Sequence, residues 1–170
     1  MKILITGTKG LALALYNLYV QKHDVTMVSK STGHDIKNID KWGNNFLDCD
    51  LVFNNAYENF YQVDVLNFFY DHWKNNNDKS IINIGSRCIV YKKSDHPDVW
   101  QYRQHKQALQ YAVDSMLSSA KCDLKIINPG LIDTEMVSDV NDAKFSVVEI
   151  AEKIKSYSSD KTIKRVDLWL

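Results

Sequence analysis

Apolar positions along this chain alternate between two periods, and the alternation predicts the elements. Lys2-Ile-Leu-Ile-Thr6 is a short apolar run closed by Thr-Gly, the pattern of a buried strand. From residue 10 to 22 the period turns helical, with Leu11, Leu15, Leu18 and Tyr19 on one side. Residues 24–28 predict a second strand, 33–36 a very short one, 38–46 a short helix and 51–56 the next strand. The helix predicted over 58–74 carries Phe60, Tyr61, Phe68, Phe69, Tyr70 and Trp73. That is more rings than one sheet-facing stripe requires, so they mark either a wide core face or a partner subunit. Residues 80–86 read as a strand running into a turn, and a helix through Tyr102 continues to about Ala120. Residues 124–128 form a strand stopped by Pro129-Gly130. A helix over 145–157 has Val148, Ala151, Ile154 and Lys155 in step, and 162–170 alternates as a last strand.

Strands separated by helices predict an α/β fold: a doubly wound parallel sheet between two helical layers, in a single domain spanning 1–170. Ligands of such sheets bind at the carboxyl ends of the strands, near the point where strand order reverses. Gly7, Asn54, Ser86 and Pro129 each follow a strand end, so they are expected on one rim.

Composition narrows the possibilities. The formal net charge is zero with no block of like charges, which argues against a nucleic-acid or anionic-membrane surface. Cys49, Cys88 and Cys122 are odd in number and lack Cys-x-x-Cys spacing. They read as reduced thiols of a cytoplasmic protein, without disulfides or a zinc site. The five histidines are scattered, so no metal is expected. Lys2 followed by the apolar stretch 11–20 imitates a secretion signal, but Gly7 and Gly10 interrupt it and no small-residue cleavage site follows. No stretch reaches the ~18 apolar residues of a membrane span.

Candidate chemistry begins at the first turn. A strand, Gly7 and Gly10 in Gly-x-x-Gly spacing, and then a helix form the setting in which backbone N–H groups and a positive helix end face a pyrophosphate. The third small residue, which permits close helix–strand packing, is Ala12 or Leu13 depending on register, with Ala12 favoured. The second strand ends in Ser29-Lys30-Ser31-Thr32, without the carboxylate that would take ribose hydroxyls. A lysine among hydroxyls suits a 2′-phosphate, and Lys9 in the turn adds charge, so NADP is expected over NAD. Further on, Tyr102 and Lys106 stand four apart and share a helix face. A phenol titrates near pH ~10, and an ammonium beside it would need to supply about 4 kcal/mol to bring it near 7. The same spacing recurs at Tyr70/Lys74 and Tyr157/Lys161, so context has to select the middle pair as an acid/base.

In order, Thr6-Gly-Thr-Lys-Gly10, Asn54-Asn-Ala-Tyr57, Ile82-Asn-Ile-Gly-Ser86, Tyr102-x-x-x-Lys106 and Pro129-Gly-Leu-Ile-Asp-Thr134 resemble the short-chain dehydrogenase/reductase family over nearly the whole chain. The resemblance implies a Rossmann-type fold that binds a nicotinamide dinucleotide and moves a hydride between it and a small carbonyl or alcohol substrate. It implies that Tyr102 protonates the carbonyl oxygen and that Ser86 donates a hydrogen bond to the same oxygen. Lys106 would hold the nicotinamide ribose and depress the Tyr102 pKa. The cofactor would lie against Thr6, Gly7, Lys9 and Gly10, then Ser29 and Lys30. Asp35 and Ile36 match its adenine contacts, Asn54 and Ala56 the adjoining turn, and Pro129, Gly130, Ile132 and Thr134 the nicotinamide end.

The chain also departs from the family pattern. It is short, and it lacks the helix expected between the second and third strands. Only about ten residues separate Thr134 from Phe145, which leaves little for a substrate lid. Tyr57 stands where a glycine is usual, and Gln62 or Asp64 falls near the place of a helical relay asparagine. The interval from Ser86 to Tyr102 is long and contains Tyr91 as a competing hydroxyl. Three readings follow: an NADPH-dependent carbonyl reductase, a nucleotide-binding scaffold that has lost turnover, or an isomerase or epimerase on the same fold. A homodimer or homotetramer is expected through the helices at 58–74 and 99–120.

Overall fold

The apolar runs become six strands: β1 (Lys2–Thr6), β2 (Asp24–Val28), β3 (Leu51–Asn54), β4 (Ser80–Ile84), β5 (Asp123–Asn128) and β6 (Arg165–Asp167). They form one sheet in the order β2-β1-β3-β4-β5-β6, and every neighbouring pair is parallel. The computed structural model describes residues 1–90, 97–135 and 143–169; Tyr91 lies outside them. The inner strands β3 and β5 are buried at every position, which is why they read as continuous apolar runs, whereas the edge strand β2 alternates.

Helices cover both faces. On one side α1 (Leu11–Tyr19) and α5 (Val147–Ser159) pack Leu15, Ile150 and Ile154 against Ile3, Ile5, Phe53 and Ile82. On the other, α2 (Ile39–Trp42), α3 (Tyr61–Trp73) and α4 (Pro97–Met116) bury Trp42, Phe69, Trp73 and Leu109 against Leu4, Val52, Ile81 and Leu124. Alternate residues of each strand feed the two cores, as a pleated strand between two layers requires. No helix among the described residues is long and apolar enough to cross a membrane.

One sequence expectation is corrected. Residues 33–36 do not form a strand; the segment folds into 3₁₀ turns at Lys30–Thr32 and Ile36–Asn38. The Ser29 N–H donates to Thr32 Oγ1 (2.8 Å), Gly33 takes the left-handed conformation (φ 82°), and Asp35 accepts from the Lys37 N–H (3.0 Å). These local bonds hold the backbone away from a strand ladder. The aromatic helix is mostly a core face: Phe69, Tyr70 and Trp73 are buried. Phe68 lies against Gly43, where a Cβ would come within 2.5 Å of its ring. Among these rings Phe60 is exposed, although it still contacts the His105 ring.

Candidate active site

Strand order reverses between β1 and β3, so the crevice at their carboxyl ends is the expected ligand position. Gly7 (φ 101°) and Gly10 (φ 52°) turn the chain from β1 into α1 through conformations that side chains resist. A Cβ on Gly7 would lie 3.2 Å from that of Ala12, which is fully buried; Ala12 is therefore the third small residue of the turn. The first turn of α1 carries no acidic residue and no side-chain cap; the Ala12 N–H donates to the Lys9 carbonyl (3.1 Å), and the Leu11 and Leu13 N–H groups face the rim end of the helix. Thr134 arrives from the segment after β5, its methyl 3.4 Å from where a Gly10 Cβ would be. Ile132 in the same segment bridges to Phe145, and Pro129 and Gly130 leave the end of β5 beside Arg87 and Leu168.

Next to the turn is a cavity of about 360 Å³, lined by Thr8, Ser29, Lys30, Ser31, His34, Asp35, Ile36, Ala56, Tyr57 and Glu58. At the far side of the crevice, Ser86 follows β4, while Tyr102 and Lys106 lie one turn apart on α4. Gly85 is required between β4 and Ser86, because a Cβ there would fall 1.8 Å from Asn128 Oδ1. Ser86 Oγ accepts from the Cys88 N–H (3.2 Å), and the Ser86 hydroxyl lies close enough to the Tyr102 phenol to influence its titration. The Tyr57 ring stands edge-on to that of Tyr102, with centroids 4.7 Å apart, and its hydroxyl pairs with His105 Nδ1 at 2.8 Å.

No protein-family model and no curated protein sequence matches the chain. Solved structures do. A short-chain dehydrogenase from Burkholderia cenocepacia in complex with NADP superposes with a TM-score of 0.85 at 19% identity, covering 99% of this chain and 88% of that one. The chain has the short-chain dehydrogenase/reductase fold. A 3-ketoacyl-(acyl-carrier-protein) reductase from Brucella melitensis complexed with NADH gives 0.77 at 16% identity, covering 98% and 96%. An alcohol dehydrogenase from Thermococcus sibiricus complexed with 5-hydroxy-NADP gives 0.70 at 16% identity, covering 99% and 95%.

Within this reductase fold, the electrostatics of the site differ from the sequence expectation at two points. Lys106 does not lower the Tyr102 pKa. Its Nζ donates to Gln62 Oε1 (2.8 Å) and to the Ile84 carbonyl (2.8 Å), and stands 5.5 Å from the centre of the Tyr102 ring. Burial pushes the Tyr102 phenol well above its ordinary value, with the Ser86 hydroxyl opposing it. Burial also pulls the Lys106 ammonium down to about 7. The second point is Lys30. It pairs with Glu58 and approaches Asp35 Oδ2 at 3.8 Å, so the cation expected to be free for a phosphate already faces carboxylates.

Thr6 and Asn54 are fully buried and serve the rim from within. Thr6 Oγ1 accepts from the N–H groups of Asn55 and Ala56 (both 2.9 Å), and Asn54 Nδ2 donates to the Gln62 carbonyl and to Asn83 Oδ1 (both 2.8 Å). Lys9 is exposed at the turn, and Asp35 and Ile36 line the cavity. Sequence reasoning missed Glu58 and His105 and left the role of Gln62 open. The Gln62 amide donates to the carbonyls of Asn54 (2.7 Å) and Ile84 (3.0 Å), which aims its oxygen at Lys106. Its one legible signal was a polar residue on the buried stripe of α3.

Proposed function

We propose that this protein is a short-chain dehydrogenase/reductase that uses NADP(H) to interconvert a carbonyl and an alcohol. The observation that carries this reading is the Ser86–Tyr102 hydroxyl pair beside a glycine turn at the carboxyl rim, with Lys106 one helical turn away. The residues present fit the dinucleotide. The uncapped start of α1, with Gly7, Gly10 and Lys9, receives the pyrophosphate. Ser29, Lys30, Asp35, Ile36 and Ala56 receive the adenosine end, and Pro129, Gly130, Ile132 and Thr134 the nicotinamide end. When bound, the nicotinamide supplies or takes up the hydride.

The chain's own residues manage the oxygen and the proton. Ser86 and Tyr102 donate two hydrogen bonds to the carbonyl oxygen, where negative charge develops. Tyr102 then gives up its proton to that oxygen. Burial keeps the proton on the Tyr102 phenol at neutral pH, so the site presents it as a donor to a carbonyl oxygen. Lys106, whose Nζ donates to Gln62 Oε1 and the Ile84 carbonyl, would hold the cofactor ribose through its remaining N–H when protonated.

A second reading, a nucleotide-binding scaffold without turnover, is supported by the Tyr57 ring that covers the edge of Tyr102. A panel of carbonyl substrates with NADPH separates the two. Wild-type protein should consume NADPH, and Tyr102→Phe should lower kcat by ~10²-fold or more while leaving NADPH affinity within about twofold. Wild-type protein that binds NADPH but turns over no carbonyl supports the scaffold.

A further inference from the structure

We propose that Glu58 sets the selectivity of the adenosine cavity between a 2′-phosphate and free ribose hydroxyls, by occupying Lys30 and Lys37 itself. This rests on the dinucleotide reading above and deepens it. Glu58 lies just beyond β3, and each of its carboxylate oxygens takes a different lysine: Oε2 pairs with Lys30, and Oε1 with Lys37 Nζ at 2.5 Å. Asp35 Oδ2 stands 3.8 Å from the same Lys30 nitrogen. The two lysines hold the Glu58 carboxyl below the ordinary carboxylate range, so it is charged wherever the protein is folded near neutrality. The cavity lining therefore sets one lysine, Lys30, against the Glu58 and Asp35 carboxylates, with Lys37 paired to Glu58 just outside it.

A 2′-phosphate brings about −1.5 to −2 charges. At Lys30 it competes with the Glu58 carboxylate for the ammonium and stands beside both carboxylates of the wall. Free ribose hydroxyls meet no such competition, because they donate to the Glu58 or Asp35 carboxylate while both lysines stay paired. The Ser29 and Ser31 hydroxyls on this wall bond each other at 2.8 Å and add no charge to the choice. Glu58 thus acts against NADPH and not against NADH. Its signal is invisible in the local pattern, since 28 positions separate it from Lys30.

The test is a titration of NADPH and of NADH into the full chain, carried out for wild type, Glu58→Gln, Lys30→Met and the double variant. Glu58→Gln should tighten NADPH about fivefold, on the scale of a partly exposed ion pair, and leave NADH unchanged or weaker. Lys30→Met should weaken NADPH, and in the double variant it should erase the gain. The NADPH gain should also shrink at high salt. If Glu58→Gln changes NADPH and NADH affinity equally, or changes neither, the inference is overturned and the dinucleotide reading stands. If neither nucleotide binds wild type or any variant, both fall.

Discussion

Lys106→Met offers a test that needs no substrate. Lys106 is buried and held by two carbonyl oxygens, with no carboxylate paired to it among the described residues, and burial lowers its pKa from 10.5 to about 7. The sign follows from proton counting. Between pH 7 and 10.5 the unfolded chain keeps this proton and the folded chain has released it. Lys106 therefore adds stability as pH rises through that window and adds none below it. Linkage with these two values gives wild type a gain of about 2 kcal/mol over Lys106→Met between pH 7 and 9, and close to zero between pH 5 and 6. The difference between the two proteins isolates this gain from the constant cost of leaving Gln62 Oε1 without its Lys106 donor. Tyr102, pushed upward, stays protonated in both proteins over this range. Urea unfolding followed by tryptophan fluorescence at half-unit pH steps measures it. Stability curves that run parallel from pH 7 to 9 would refute the reasoning, since they would mean that Lys106 stays charged in the folded protein.

Two further outcomes are expected. Gly85→Ala should destabilise the fold by ~2–4 kcal/mol in chemical unfolding, because the new Cβ displaces an Asn128 side chain bonded to Gln110 and Asp167; a loss under ~0.5 kcal/mol would contradict the tight approach of β4 to β5. We also propose self-association through α3 and α4, with Trp100 and Tyr111 exposed on the surface of α4. Light scattering should give twice or four times the monomer mass, and Tyr111→Glu should reduce it; a monomer at every concentration would sink this proposal.

The sheet was legible because its inner strands are apolar at successive positions and its helices repeat at 3.6. Ser86, Tyr102 and Lys106 were legible as an ordered set, each on the element that brings it to the rim. What stayed hidden depends on contacts across the fold. Lys30 reads locally as a cation among hydroxyls, and only the approach of Glu58 from beyond β3 turns it into an ion pair. The spacing of Tyr102 and Lys106 gives a shared helix face but not the direction of the ammonium, which Gln62 draws from another helix. Residues 33–36 looked extended, yet the hydroxyl-rich segment before them closes on itself, and the sheet ends at β2.

The central claim, a dinucleotide laid along the carboxyl rim, is tested most directly by titrating NADPH while following Trp42. Its Nε1 donates to the Asp35 carbonyl at 2.8 Å, which ties the indole to the wall of the adenosine cavity. The account predicts a saturable change in fluorescence that is lost in Gly10→Val, where a larger side chain meets Thr134 and the helix start. An unchanged signal with no heat of binding up to millimolar NADPH and NADH would contradict it.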